Sequence, residues 1–262
     1  MALINFRLSG TDETTYSGVN GKSIGWFHLT DGELWLELGE STIYEYTRDS
    51  KTVLSDPLKH EFNDYFISRF VEDFSEIFQV ISEPLPEFLH RAIETHKTLE
   101  DYELWASTFL ECDYQEKKYI DTNYEILLTW IYRRSLPANH LIGGPTIWFF
   151  RIFDQIQIIW RADHKLPSGT HLWTYPFGEY KMNYDLFVKE VQDFSKRFFT
   201  EMNQLISTID DDASKTFDLE AVLKQNLERQ IMFDNDVLRL FTNGLMKKDW
   251  ETIRRCYENR NV

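Results

Sequence analysis

Cysteine is nearly absent from this chain of 262 residues: Cys112 and Cys256 lie far apart and form no CxxC pair. A chain of this size needs no disulfide staple; the spacing leaves one long-range disulfide open, and two buried thiols in a reducing cytosol are the favoured expectation. Glycine and proline are sparse, with no Pro- or Gly-rich linker and no repeat of fixed length, so 1–262 reads as one domain. No apolar run approaches the ~20 residues that span a bilayer. The start, MALINFRLSGTDE, has neither a basic n-region nor a long apolar stretch, so no signal peptide is expected and a cytoplasmic address follows. Positive charge is short as well. Lys and Arg number 28 against 43 Asp and Glu, a net charge of -15. Such a field repels phosphate backbones and anionic headgroups, which argues against nucleic acid and membrane as partners. The short basic groups, Lys117-Lys118, Arg133-Arg134 and the tail with Lys247, Lys248, Arg254, Arg255 and Arg260, read as solvated helix faces and caps.

Motifs of known chemistry are missing too. Gly21-Lys22-Ser23 lacks the earlier glycine of a phosphate loop, since position 16 is Tyr. Asp210-Asp211-Asp212 lacks the glycine and glutamate of a calcium loop. Glu87-Phe88-Leu89-His90 is half of a di-iron carboxylate signature without its second copy. There is no HExxH, no GxSxG and no glycine-rich dinucleotide turn. Neither a cofactor nor a metal site is expected.

What the chain has in abundance is aromatic side chains: 20 Phe, 13 Tyr and 8 Trp. Disordered acidic chains lack them, so a real core inside a negative surface is implied. Residues 26–38, WFHL-TDG-ELWLEL, read as two strands around an Asp31-Gly32 turn. In the second run Leu34, Leu36 and Leu38 alternate with Glu33, Trp35 and Glu37, which sends the leucines inward and the acids with Trp35 outward. STIYEY (41–46) adds a candidate strand.

From His60 the period lengthens. Phe62, Phe66, Phe70, Phe74, Ile77 and Ile81 predict an amphipathic helix that Pro84 and Pro86 stop. Thr98 and Asp101 open another, with Tyr102, Trp105, Phe109 and Cys112 on one face; Thr122 and Glu125 have capping-box spacing ahead of Tyr124, Leu128 and Ile131. After Gly143-Gly144-Pro145 come TIWFFRIF and QIQIIW, with Ile156, Ile158 and Trp160 on one face and Gln155 and Gln157 on the other. EYKM adds a strand. Phe187, Val191, Phe194, Phe198, Met202, Leu205 and Ile209 mark a long helix, and two further helices cover about 218–241 and 248–258. The expected fold class is α+β: antiparallel sheet from two β blocks (about 2–46 and 146–182) packed with helices (about 60–135 and 183–258). One shared sheet is favoured, because two or three strands are marginal alone.

Two groups of residues are candidate sites. Glu33, Trp35 and Glu37 form an outward aromatic ringed by acids, the pattern of a surface that anchors and steers a basic partner. Asp163, His164 and His171 share one polar loop with Glu179 shortly after, and could bind a metal or place a general base.

FRL, SIGWFHLTDGELWLEL, GGPTIWFF and FVKEVQDFSKRFFTEM, taken together, resemble a family of uncharacterised bacterial proteins that share one domain of unknown function. In that family an FRL start, a WFxLTDGxxW hairpin and a PxIWF strand recur in this order. The resemblance spans most of the chain and implies a bacterial origin; it transfers no activity. Glu33 departs from the family, where an aromatic is common.

The leading functional expectation is a cytosolic protein-binding protein, an immunity or antitoxin-like protein that neutralises a basic toxin by occlusion. The alternatives are a small metal-dependent or hydrolytic enzyme using the 163–179 loop, and a phage-defence or structural accessory protein. The oligomeric state is left open.

Overall fold

The computed structural model describes residues 2–10, 25–54, 60–116, 123–136, 138, 140–209, 218–242 and 250–258. Two antiparallel four-stranded sheets and the helices packed on them make an α+β fold. In the first sheet β2 (Gly32–Leu38) is central and pairs with β1 (Ile4–Leu8), β3 (Ser41–Ile43) and β4 (Asn63–Asp64). The second runs in chain order: β5 (Ser135–Leu136), β6 (Thr146–Ile152), β7 (Gln155–Arg161) and β8 (Phe177–Asn183). The expectation of one shared sheet is therefore corrected. Among the described residues the two blocks join only at the Tyr46–Trp173 bridge, flanked by backbone hydrogen bonds from Thr47 to Leu172 and from Thr174 to Glu45, and each sheet takes its support from helices instead.

The expected 26–38 hairpin is corrected as well. Trp26–Thr30 is a 3-10 helix, and the strand beside β2 is β1, with Ile4 opposite Leu36 and Leu8 opposite Gly32. Trp26 and Leu29, three residues apart, share one face at three residues per turn, and both are buried. The Trp26 indole donates to Asn226 at 2.8 Å beneath the Arg229 guanidinium. Gly32 permits the β1 approach, since a Cβ there would lie 2.1 Å from the Arg7 carbonyl oxygen.

Between and after the sheets come α1 (Arg48–Leu54), α2 (Ile67–Ile81), α3 (His96–Glu116), α4 (Asn123–Tyr132), α5 (Tyr184–Ser207), α6 (Leu219–Val237) and α7 (Trp250–Glu258). In α2 the predicted Phe70, Phe74, Ile77 and Ile81 are buried, while Phe62 and Phe66 precede the helix. Helix α5 buries Phe187, Val191, Phe194, Phe198 and Met202, and Asn183 caps its start by accepting from the Asp185 and Leu186 amides. Thr122, Gly21–Ser23, Lys117-Lys118, Asp210–Asp212 and Asn243-Gly244 lie outside the described residues.

The central strands of the second sheet, β6 and β7, are buried on both faces. Ile147, Phe149, Ile156, Ile158 and Trp160 join the core beneath α2 and α5; Trp148, Phe150 and Ile159 face a second core with residues of α3, α4 and α7. Two-sided burial is why TIWFF and IQIIW read as nearly unbroken apolar runs. Gln157, expected on a polar face, is buried there instead and donates to the Glu94 carbonyl at 2.9 Å. Arg134, expected at a solvated helix end, is fully buried against Glu83. Among the described residues no helix is long and apolar enough to cross a membrane.

Candidate protein-interaction face

Side chains alternate across a strand, and residues paired across an antiparallel ladder share a face. On β2 the leucines at 34, 36 and 38 go into the core, so Glu33, Trp35 and Glu37 take the opposite face. The ladder adds Arg7 and Asp64 beside Glu33, Asn5 beside Trp35 and Thr42 beside Glu37; a bridge adds Glu45 opposite Phe62. Phe62 then stacks on Trp35, ring centroids 4.1 Å apart and 13° from parallel. The Trp35 indole donates to Glu37 at 3.1 Å, and the Thr42 hydroxyl donates to the other Glu37 oxygen at 3.1 Å. At the rim the Tyr46 hydroxyl donates to Asp64 at 3.2 Å, and Glu61 is exposed. The outcome is an aromatic stack bordered by Glu37, Glu45, Glu61 and Asp64.

Glu33 does not stand out in water as the alternation suggested. It is buried: one oxygen accepts from the Glu61 and Phe62 amides at 2.9 and 3.3 Å, and the other pairs with Arg7 at 2.9 Å. Its charge is spent on holding the segment before β4 against β2. Trp35 and Glu37 remain partly exposed. Crowding of acids is felt at the β2 turn. Burial raises the Asp31 carboxyl above its ordinary value, and Asp64 raises it further, against the lowering effect of His60.

A groove of about 760 Å³ opens from Tyr65, the residue after Asp64, along the outer side of α2. Asp73 and His140 meet there at 3.3 Å, and Tyr65 stacks on the His140 ring at 4.9 Å. A carboxylate on an imidazole is the orienting half of a general base. Among the described residues His140 meets Asp73 and Tyr65, and no hydroxyl or thiol hydrogen-bonds to it. Neither Asp73 nor His140 carried a sequence signal, since they come from a helix and a loop far apart in the chain.

The 163–179 loop folds back so that His164 and His171 become backbone neighbours, the Leu172 amide donating to the His164 carbonyl at 3.0 Å beside a Lys165–His171 bridge, but the four candidates do not form one cluster. Glu179, on β8, faces His96 at 3.4 Å, and Asp163 is exposed. His164 packs on Gly143, where a Cβ would lie 2.1 Å from its ring, and His171 gives its carbonyl oxygen to the Thr47 hydroxyl. Among the described residues no group of three His, Cys, Asp or Glu could hold a metal ion. Cys256 is a free thiol; the Cys112 side chain lies outside the described residues.

The model of a family of unknown function, DUF5984, fits residues 3–256. No curated protein and no solved structure matches the chain.

Proposed function

We infer a binding role for a chain that belongs to the DUF5984 family of unknown function: it takes a basic protein partner on the outer face of its first sheet. The carrying observation is the Trp35–Phe62 stack set among Glu37, Glu45, Glu61 and Asp64. A flat, fixed aromatic pair gives a partner area to bury at little entropic cost, while the acids accelerate encounter with a positive surface and reject a negative one. The net charge of -15 extends that field over the molecule. Occlusion of a basic toxin in the cytoplasm is the form of this role that the charge and the lack of catalytic motifs favour.

The test is capture from a cell extract at low salt by the immobilised chain, followed by affinity measurement with the captured protein. The variant Glu37→Gln/Glu61→Gln/Asp64→Asn keeps the shapes and removes the charges. The reading requires a basic partner bound at least about tenfold more weakly by this variant. A partner that is not basic, or one that binds the variant as well as the parent, contradicts it.

A further inference from the structure

We propose that the groove beside α2 hydrolyses short carboxylic esters, with His140 as the general base on water and Asp73 as its positioning residue. The imidazole is held from two sides. Its Nδ1 meets the Asp73 carboxylate at 3.3 Å, and the Tyr65 ring stacks on it at 4.9 Å, 23° from parallel. A carboxylate on Nδ1 fixes the proton there and leaves Nε2 as the basic nitrogen. Among the described residues His140 has no other hydrogen-bond partner, so Nε2 is left to water. The backbone behind the pair is strained. Tyr44 and Ala138 have φ of 73° and 41°, left-handed values that residues with a side chain rarely take. Both line one small pocket together with Asp73 and His140. Strain of this kind persists where the surrounding fold enforces it, and it gathers at functional sites. The Tyr44 phenol is fully buried and is pushed above its ordinary value by burial and then by Asp73, so the carboxylate charge reaches into a poorly hydrated interior. There its hold on the imidazole is stronger than it would be in water.

The groove, about 760 Å³, has the size of a small-molecule site. Its lining selects the substrate. Ile77 and Val80 offer an apolar wall to an acyl chain, and Asp73 and Glu76 offset Arg69 and Arg133, which favours a neutral ester over a phosphate. The Ser135 hydroxyl lines the same groove but donates to the Tyr132 carbonyl at 2.7 Å, not to His140. Water is therefore the nucleophile. Nε2 takes a proton from water as the water oxygen bonds to the ester carbonyl carbon, and the carbonyl π pair moves onto its oxygen. Arg69 and Arg133 supply positive charge for that oxyanion. Its collapse breaks the bond to the alcohol oxygen, which leaves with the proton from Nε2. One ester and one water become one acid and one alcohol, and the neutral imidazole is restored. This activity is independent of the binding role of the first sheet.

The test follows nitrophenolate release from p-nitrophenyl acetate by the full chain. Repeated turnover is expected, about 100-fold faster than that of His140→Gln, the ordinary contribution of a general base. His140→Gln keeps every other histidine in place and so measures their background. Asp73→Asn lowers kcat at least about tenfold with KM unchanged, because Asp73 orients the base without touching the substrate. Asp73→Glu, which keeps a carboxylate, recovers part of that loss, and the parent's kcat falls in heavy water because a proton moves in the rate-limiting step. Both side chains are partly exposed, so the variants should keep the parent's circular dichroism and melting behaviour. Turnover no faster than that of His140→Gln overturns the proposal. So does an Asp73→Asn variant as fast as the parent, or a burst of one nitrophenolate per chain, which would mark a covalent nucleophile in place of water.

Discussion

Trp35 lies flat on Phe62, and its indole nitrogen, at 3.1 Å, donates to Glu37. These contacts tie the centre of β2 to the segment leading into β4 while leaving one edge of the stack in water. The residue is thus both a brace and a surface. Truncation to Ala removes the stack and costs about 2–3 kcal/mol, less than the roughly 3–5 kcal/mol of a fully buried aromatic. Trp35→Phe keeps a ring on Phe62 and costs about 1 kcal/mol. Urea denaturation at neutral pH separates the two; equal, small losses would contradict the bracing role.

Phe194 sits at the crossing of both halves of the larger core. It meets Phe6 edge-on at 5.7 Å and Phe70 at 6.0 Å, and stacks with Phe198 at 5.9 Å. It is fully buried, so Phe194→Ala should cost about 3–5 kcal/mol by lost transfer energy and the remaining cavity. A loss within surface-mutant scatter, about 0.5 kcal/mol, would refute the packing of α5 on β1.

The Arg134 guanidinium is wholly buried. It donates to Glu83 at 3.0 Å and to the Trp130 carbonyl at 3.0 Å, while the Trp250 indole donates to the other Glu83 oxygen at 3.1 Å. Burial pulls its pKa down to about 10, and Glu83 resists the fall. Glu83→Gln leaves a cation buried without its counter-charge and costs about 3–5 kcal/mol, whereas Glu83→Met/Arg134→Met recovers most of that. Chemical denaturation of the single and double variants checks both; a single variant as stable as the parent fails the prediction.

Asp31 gives a pH signature. Its carboxyl is held above the ordinary 3.8 first by burial and then by Asp64, so ionising it costs more in the folded chain than in the unfolded one. That cost is absent below the unfolded value, grows as pH rises from there to the raised folded value, and is complete above it. Asp31→Asn removes the cost. Its melting temperature should exceed the parent's at pH 7, and the gap should close by about pH 3, below the ordinary carboxylate range. A variant that melts no higher at pH 7 contradicts the crowding of acids at this turn.

Periodicity made α2 and α5 legible in the sequence, because each buries a single stripe whose spacing survives any tertiary context. It also placed β2, β6 and β7. It misread Trp26–Thr30, since WFHL alternates well enough for a strand, whereas the 3-10 turn is held by residues distant in sequence: Asn226 and Arg229 on Trp26, Phe66 on Phe27 and Ser68 on Thr30. The faces of Glu33 and Gln157 followed from alternation, but their burial did not. Glu33 is drawn in by Arg7 and two amides, and Gln157 by helices covering the sheet's second face. The Trp35 face was visible as a trio; Phe62, Glu45 and Asp64 joined it only through strand pairing. Asp73 and His140 had no local pattern to betray them.

The most direct test of the acidic aromatic face is the association rate with the captured basic partner, followed from about 0.05 to 0.5 M salt, across which the screening length shrinks severalfold. The account predicts a rate that falls steeply with salt, a dissociation rate that changes much less, and a flatter salt dependence for Glu37→Gln/Glu61→Gln/Asp64→Asn. An association rate insensitive to salt, or a slope identical in the neutralised variant, would contradict it.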